Sequence, residues 1–274
     1  MEWSITRDNT VNPDEGNITL FNLAPVVSGA IFEAWQAVNN LGLGVEYNVA
    51  FYIGWARIAK LVMIGEVWDL QPDLKTPTDV LTIFRIGDGN NAIRDQTVGR
   101  DFHGVKLDIV LDYLVRLPPA PDDAGGGGLG LIYPPESKAI IAAAAGALPY
   151  QFFANIPKGL NTKDAITLIL ETLSLEWRVH NGEFIVMRGG IINRPGPILR
   201  PGTGLIHYES RNDGGVVVTA LADADMEPGI QFQVQNDLGK PFAELAYRCE
   251  RVSFTGSTDN ESIMTVEGAK ARIV

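Results

Sequence analysis

The sequence predicts a mainly β protein, α+β overall, in which two small β-barrel domains flank a helical/αβ middle domain. Three observations carry that prediction. Period-two alternation dominates both ends of the chain, helical spacing dominates its middle, and a Pro/Gly-rich stretch separates the middle from the last third. The 274 residues suffice for two or three compact units. The predicted division is 1–100, 101–192 and 193–274.

In the first unit Asn17–Leu23 alternates as a strand before Ala24-Pro25 halts it. Pro25 suits a first helical position, and Val27, Ile31, Ala34, Trp35 and Val38 recur at helical spacing until Asn39-Asn40 and Gly42. That helix is expected to lay an apolar face on a sheet. Val45 to Trp55 places Val45, Tyr47, Val49, Phe51, Ile53 and Trp55 at every second position. Ile58 to Trp68 and Val80 to Ile86 read as two further strands, separated by a Gln71-Pro72-Asp73 turn and Thr76-Pro77-Thr78 and closing at Gly87-Asp88-Gly89.

In the middle unit Leu107, Val110, Leu111, Leu114 and Leu117 mark a helix that Pro118-Pro119 stops. Gly125 to Gly128, between Pro121-Asp122-Asp123 and Tyr133-Pro134-Pro135, reads as a mobile surface loop. Lys138 to Ala145 can form a short helix. Asn161 is an N-cap, Asp164 sits in the first turn, and Ile166, Ile169, Leu170 and Leu173 share one face. Asn181-Gly182 then predicts a hairpin with Val179 opposite Phe184 and Trp177 opposite Val186.

Asn193-Arg194-Pro195-Gly196-Pro197 and Pro201-Gly202-Thr203-Gly204 read as linker. Val216–Leu221, the alternating Ile230, Phe232 and Val234, Tyr247–Phe254 and Ile263–Val266 read as strands of a second all-β unit. The two β units echo each other, since Gly44–Val49 resembles Gly229–Val234. Alternation alone produces such echoes, so the sequence leaves an internal duplication open.

Chemistry is hard to find. Gly125, Gly127 and Gly130 satisfy G-x-G-x-x-G, but prolines precede them where a dinucleotide site needs a strand, and no Lys-Ser or Lys-Thr follows. Asp223, Asp225 and Glu227 open like a calcium loop without its later Gly and Glu, so a plain turn is expected. His103, His180 and His207 fall in separate regions as surface or hairpin residues. Cys249 is the only cysteine, which excludes an intramolecular disulfide, and it reads as a small strand residue. No catalytic, cofactor-binding or metal residue is assigned, and no cofactor.

The net charge is −11, and no segment is basic, which argues against gripping phosphates and admits DNA only as something sliding past. Without an apolar leader, or the roughly 18–20 apolar residues of a spanning helix, the chain is expected to be soluble, made without a signal peptide and not membrane-inserted.

The order of these pieces resembles the baseplate hub family of tailed bacteriophages. Asn17–Leu23 with the following helix and alternating strand is similar to the family's opening. Gly65-Glu66-Val67 to Ile86-Gly87-Asp88-Gly89, continued by Asn90, Asn91 and Ala92, resembles its strand pair ending in G-D-G. Gly204-Leu205-Ile206, Gly215–Leu221, Met226–Gly229 and Arg251–Ser257 resemble its last third, with Phe254 and Ser257 standing where the family has His and Asp. The resemblance implies a non-enzymatic homotrimer in which each subunit supplies two tube-like barrels. Such a ring adapts a hexameric tail tube to a trimeric spike and leaves a channel for DNA and tape measure. It also implies tail tube protein, spike or central fibre protein, other baseplate proteins and tape-measure protein as partners, in a virion protein made in the host cytoplasm.

Two other classes compete. A virion-associated cell-wall hydrolase would draw on Asp164, Glu171, Glu176, His180 and Glu183, scattered over a helix and hairpin. A glycan-binding adhesin would use Trp55, Trp68 and Trp177, whose alternating apolar faces read better as core.

Overall fold

In the computed structural model, residues 1–10, 14–41, 48–54, 59–76, 78–88, 96–117, 127–147, 153–189, 194–236 and 246–270 are described. They form two compact units: Met1–Asp8, Asp14–Asp88 and Arg194–Ala271 make the first, and Asn9–Pro13, Gly89–Asn193 and Arg272–Val274 the second. The protein is mainly β, and the principal sheet curls into a half-barrel.

The first unit is one eleven-stranded sheet. Its strands are β1 (Glu2–Asp8), β2 (Glu15–Phe21), β3 (Asn48–Ile53), β4 (Lys60–Lys75), β5 (Val80–Gly87), β10 (Arg194–Leu199), β11 (Leu205–Ser210), β12 (Val216–Leu221), β13 (Ile230–Val234), β14 (Tyr247–Ser257) and β15 (Ile263–Lys270). The second unit holds two antiparallel pairs, β6 (Phe102–Lys106) with β7 (Phe153–Ile156), joined across two helices, and the hairpin β8 (Leu175–His180) with β9 (Glu183–Arg188).

The sheet contains the same five-strand arrangement twice. In the N-terminal repeat the order is β1-β2-β5-β4-β3, and in the C-terminal repeat it is β11-β12-β15-β14-β13, antiparallel throughout. Even the irregularities agree: β4 takes its bulge between Val67 and Asp69, β14 between Cys249 and Arg251. Of the echo in the sequence, Asn48 and Val49 lie on β3 and Ile230–Val234 on β13, while 44–47 lie outside the described residues. The pairing registers set Asn48 against Gln231, two residues from the sequence match and therefore on the same face.

The repeats differ in what joins their second and third strands. The N-terminal one inserts α1 (Pro25–Leu41), whereas the C-terminal one turns through Asp223–Gly229. The sheet passes from one repeat to the other through β1, which pairs β2 on one side and β14 on the other. Periodicity did not reveal β1, because its inward face is Trp3, Ile5 and the buried Arg7.

Several sequence expectations need correcting. Gln71-Pro72-Asp73 is not a turn: β4 runs through it with a bulge between Gln71 and Leu74, on a stretch that β3 does not cover, where the missing proline N–H is tolerated. Arg194-Pro195-Gly196-Pro197 is not linker but β10, paired parallel to β13 with its own register shift. Val27 does not face the sheet; it is 45% exposed, and α1 meets β4 through the Trp35 indole, which donates to the Val67 carbonyl. The expected start of β3 at Val45 and Tyr47, the Ile58 start of the next strand, Trp55 and Asn90-Asn91-Ala92 lie outside the described residues.

In the second unit α2 (Leu107–Arg116), α3 (Pro135–Gly146) and α4 (Thr162–Thr172) are the expected helices. Asn161 caps α4 by accepting from the Lys163 N–H, 2.9 Å. The hairpin has the expected register, with Asn181 and Gly182 both at positive φ. Gly125 and Gly126 lie outside the described residues, but Gly127 and Gly128 are buried, against the expected surface loop. The Leu129, Gly130 and Leu131 N–H groups donate to the Leu114, Leu117 and Val115 carbonyls, satisfying acceptors that α2 leaves open at its end. A Cβ on Gly128 would stand 2.4 Å from the Tyr113 carbonyl oxygen, so only glycine fits there.

Candidate functional site

The surface that stands out in the first unit is an unfinished sheet. β11 and β3 end the strand path, and among the described residues the outer side of β4 has no strand beyond Glu66. Unpaired strand edges carry rows of free N–H and C=O groups, which favour addition of another strand. These edges also carry exposed apolar groups: Leu74 at 42%, Tyr52 at 57% and Ile206 at 58%. Nearby, Val26 on α1 is 84% exposed.

The interior between those edges is largely apolar. Trp3 packs on Phe51 with ring centroids 4.9 Å apart, and Phe232 on Tyr247 at 5.7 Å. The Tyr247 phenol is pushed up to about 12, first by burial and then by its hydrogen bond to Tyr208. Arg7, 1% exposed, reaches Asp14 at 3.6 Å and Glu227 at 3.5 Å, tying β1 to the turn that opens the C-terminal repeat's third strand. Gly87 of the G-D-G stretch lies under the Trp68 ring, which would overlap any Cβ.

The acidic turn is a structural connection. Asp223 accepts from the Asp225 N–H at 3.0 Å, Asp225 pairs with Lys60, and Glu227 pairs with Arg7. Lys60 titrates above its ordinary value, chiefly through that hydrogen bond to Asp225.

The second unit has an apolar groove of about 970 Å³ between α2 and α3, floored by Tyr133. Asp112 stands at its rim with Arg116 and Lys138, each 3.2 Å away, and the Lys138 ammonium lies 4.7 Å from the Tyr133 ring centroid. Burial, and then the Asp112 charge, push the Tyr133 phenol far above its ordinary range. Asp112 is thus engaged by two cations, Asp108 also lines the groove, and the walls offer contact to an apolar side chain.

The residues weighed for hydrolysis are distributed. Asp164 and Glu171 lie on α4, Glu176 on β8, and His180 faces Glu183 where the hairpin turns, with Asn181 Nδ2 3.1 Å from His180 Nε2. His103 and His207 are exposed on β6 and β11. Of the tryptophans weighed for glycan stacking, Trp177 is 2% exposed, donates to Thr167 Oγ1 at 3.1 Å and packs on Phe184; it is a core residue. Trp68 is half-buried. Cys249 is a buried strand residue, as expected.

No protein-family model and no curated protein matches the sequence. Solved structures do match in fold. A tail protein from Neisseria meningitidis MC58 aligns with TM-score 0.56 at 11% identity, over 97% of this chain and 91% of that one. The 43 kDa tail protein of prophage MuSo2 from Shewanella oneidensis aligns with TM-score 0.59 at 9% identity, over 98% and 93%. The E. coli c3393 protein, a type VI secretion component structurally similar to T4 bacteriophage tail proteins gp27 and gp5, aligns with TM-score 0.62 at 10% identity, over 99% and 73%. The chain has the fold of phage tail proteins. Among the described residues no helix is long and apolar enough to cross a membrane.

Proposed function

We propose that this chain is a non-enzymatic structural component of a phage tail, the baseplate hub: a homotrimeric ring that adapts a hexameric tail tube to a trimeric spike and leaves a channel for DNA and tape measure. The observation that carries the reading is the twofold occurrence of one five-strand arrangement in a single sheet. Three copies of a duplicated subunit present six similar modules on one face while remaining threefold elsewhere, which is what a junction between sixfold and threefold parts requires. The fold shared with tail proteins supports the same reading.

In this proposal the regions 1–100 and 193–274 are the two tube-like barrels, and 101–192 is the middle domain. The net charge of −11 suits a lumen past which DNA slides, because a basic wall would hold phosphates. The partners are tail tube protein, spike or central fibre protein, other baseplate proteins and tape-measure protein, and the place of action is the virion. Light scattering over a concentration series, with negative-stain imaging, tests it. A three-chain particle built from 29.7 kDa subunits with a central hole is the expected result. A concentration-independent monomer that clears cell-wall substrate or binds glycan would replace it with a hydrolase or an adhesin.

A further inference from the structure

The pairing registers match residues of one repeat to residues of the other. The shared bulge aligns Val67 with Cys249 and Asp69 with Arg251. From there Val80 corresponds to Ser262 and Leu81 to Ile263, on β5 and β15, and Phe21 corresponds to Leu221, on β2 and β12. Backbone bonds agree with the match. The Asn22 N–H donates to the Val80 carbonyl at 2.7 Å, and the Ala222 N–H to the Ser262 carbonyl at 2.9 Å.

Character is not kept everywhere on the sheet: Asp69 opposite Arg85 matches Arg251 opposite Glu267, with the signs reversed. One cluster is kept. Phe21 faces Leu81, and Leu221 faces Ile263. Phe21 is 36% exposed and Leu221 39%, while Leu81 and Ile263 are half-buried. They lie on the face away from the core, because Ile18, Ala220 and Met264, at the opposite parity on these strands, are buried. Each cluster also has an acid at the matched position two residues before its β5 or β15 member, Asp79 in one and the exposed Glu261 in the other. Hydrogen bonds from Thr78 and Asn22 hold the Asp79 carboxyl below its ordinary value. Leu74, 42% exposed, enlarges the first cluster by facing Leu81, where its counterpart Thr255 faces Ile263.

The two clusters also lie at one level. Followed through directly opposite residues, Leu221 leads to Ile263, Thr255, Ser4 and Asn17, four strands away and four residues short of Phe21. Four residues advance about 13 Å along a strand, and four strand spacings cross about 19 Å, an inclination of about 35°. Strands of a curled sheet tilt by that amount against the axis of the curl. Tilted so, the clusters stand about 23 Å apart at equal height on that axis.

We propose that these clusters are equivalent docking sites for two neighbouring subunits of one cyclic homo-oligomer, each presenting an apolar side chain beside a Lys or Arg. Repetition of the site calls for a repeated partner, equal height lets one flat partner reach both, and the matched acids select a cation. This rests on the hub reading and deepens it: the partner is then the tail tube, and three copies with two sites each offer six. In a six-membered ring the spacing of neighbours equals the radius, so the docked residues of the tube stand about 23 Å from its axis.

The test uses the full-length chain and the purified tail tube protein of the same tail, assembled as hexamers, with binding read by interferometry and co-sedimentation. The variants are Phe21→Ser, Leu221→Ser, both together, and Glu261→Lys. Tyr52→Ser, at a 57% exposed ring on β3, is the control. Each single serine should weaken binding about tenfold or more, and the double variant should lose it, because the second contact of a two-point attachment is intramolecular. Glu261→Lys should weaken binding, and Tyr52→Ser should leave it unchanged. In hydroxyl-radical footprinting Phe21 and Leu221 should be protected by the tube protein.

Binding that the double variant keeps overturns the docking sites and leaves the hub reading standing. An effect of one serine alone overturns their equivalence. Light scattering of each variant by itself should show the particle that the unmodified chain forms. A variant that breaks that particle makes the clusters contacts between copies and overturns the proposal. A three-chain particle of the unmodified chain that does not bind the tube protein overturns the docking and keeps the ring. A chain that forms no such particle and ignores the tube protein removes the hub reading and the docking together.

Discussion

The two repeats share a strand order and differ in how thoroughly they are buried. In the C-terminal one Val216, Val218, Phe232, Cys249, Phe254 and Val266 are all 0% exposed. In the N-terminal one Leu20, Val49, Val67 and Phe84, on the corresponding strands, are only partly buried, and Val26, Tyr52 and Leu74 lie open. Strand order follows from backbone pairing and tolerates this difference; burial depends on what covers the sheet. The C-terminal repeat has β10 and β1 added to its edges, whereas the N-terminal one leaves part of β4 and much of α1 uncovered.

That contrast can be broken most forcefully in the core. Phe232→Ala should cost about 3–5 kcal/mol, because a fully enclosed ring leaves a cavity, while Val49→Ala at the matching strand position should cost roughly 1 kcal/mol. Urea unfolding of the two variants checks this, and equal losses would erase the difference between the repeats. Arg7→Met should cost about 3–5 kcal/mol, since it removes a buried cation from beside the buried Asp14 carboxylate and from Glu227. Because β1 serves both repeats, one cooperative transition should remain in the melt of that variant.

A smaller effect comes from Tyr247. Its phenol titrates near 12 in the folded chain, above the ordinary value near 10, so the neutral form is favoured by folding. That stabilisation is complete below about pH 10 and is lost as pH rises through about 12. Tyrosinate absorbance should show Tyr247 titrating late, with Tyr133 later still, and Tyr247→Phe should remove the earlier of the two and flatten the alkaline fall in melting temperature. The smallest effect belongs to Lys60→Ala, which removes an exposed ion pair with Asp225 across the repeats; the melting midpoint should stay where it is at physiological salt.

Legibility followed the kind of signal. The hairpin at Asn181-Gly182 and the Asn161 cap were readable because turn and cap chemistry are local. β13, β14 and β15 were readable because one face of each is apolar. β1 and β10 were not, since a buried Arg7 and the Pro195-Gly196-Pro197 run break the expected pattern. The Gln71-Pro72-Asp73 stretch misled for a related reason: proline signals a turn locally, and a bulged edge gives it another place. No individual site residue was predicted, and the strand edges became visible only from the pairing of the described strands.

By itself the sequence determined the mainly β character, the helical middle and the registers of its tight hairpin. Only the tertiary structure decided that the two β regions are one sheet, that they repeat the same strand order, and that β1 joins the repeats by pairing both β2 and β14. The reason is physical. Periodicity reports which face of a strand meets the core, but strand order is fixed by hydrogen bonds between residues some 250 apart, such as Trp3 and Gly256, and nothing local encodes those.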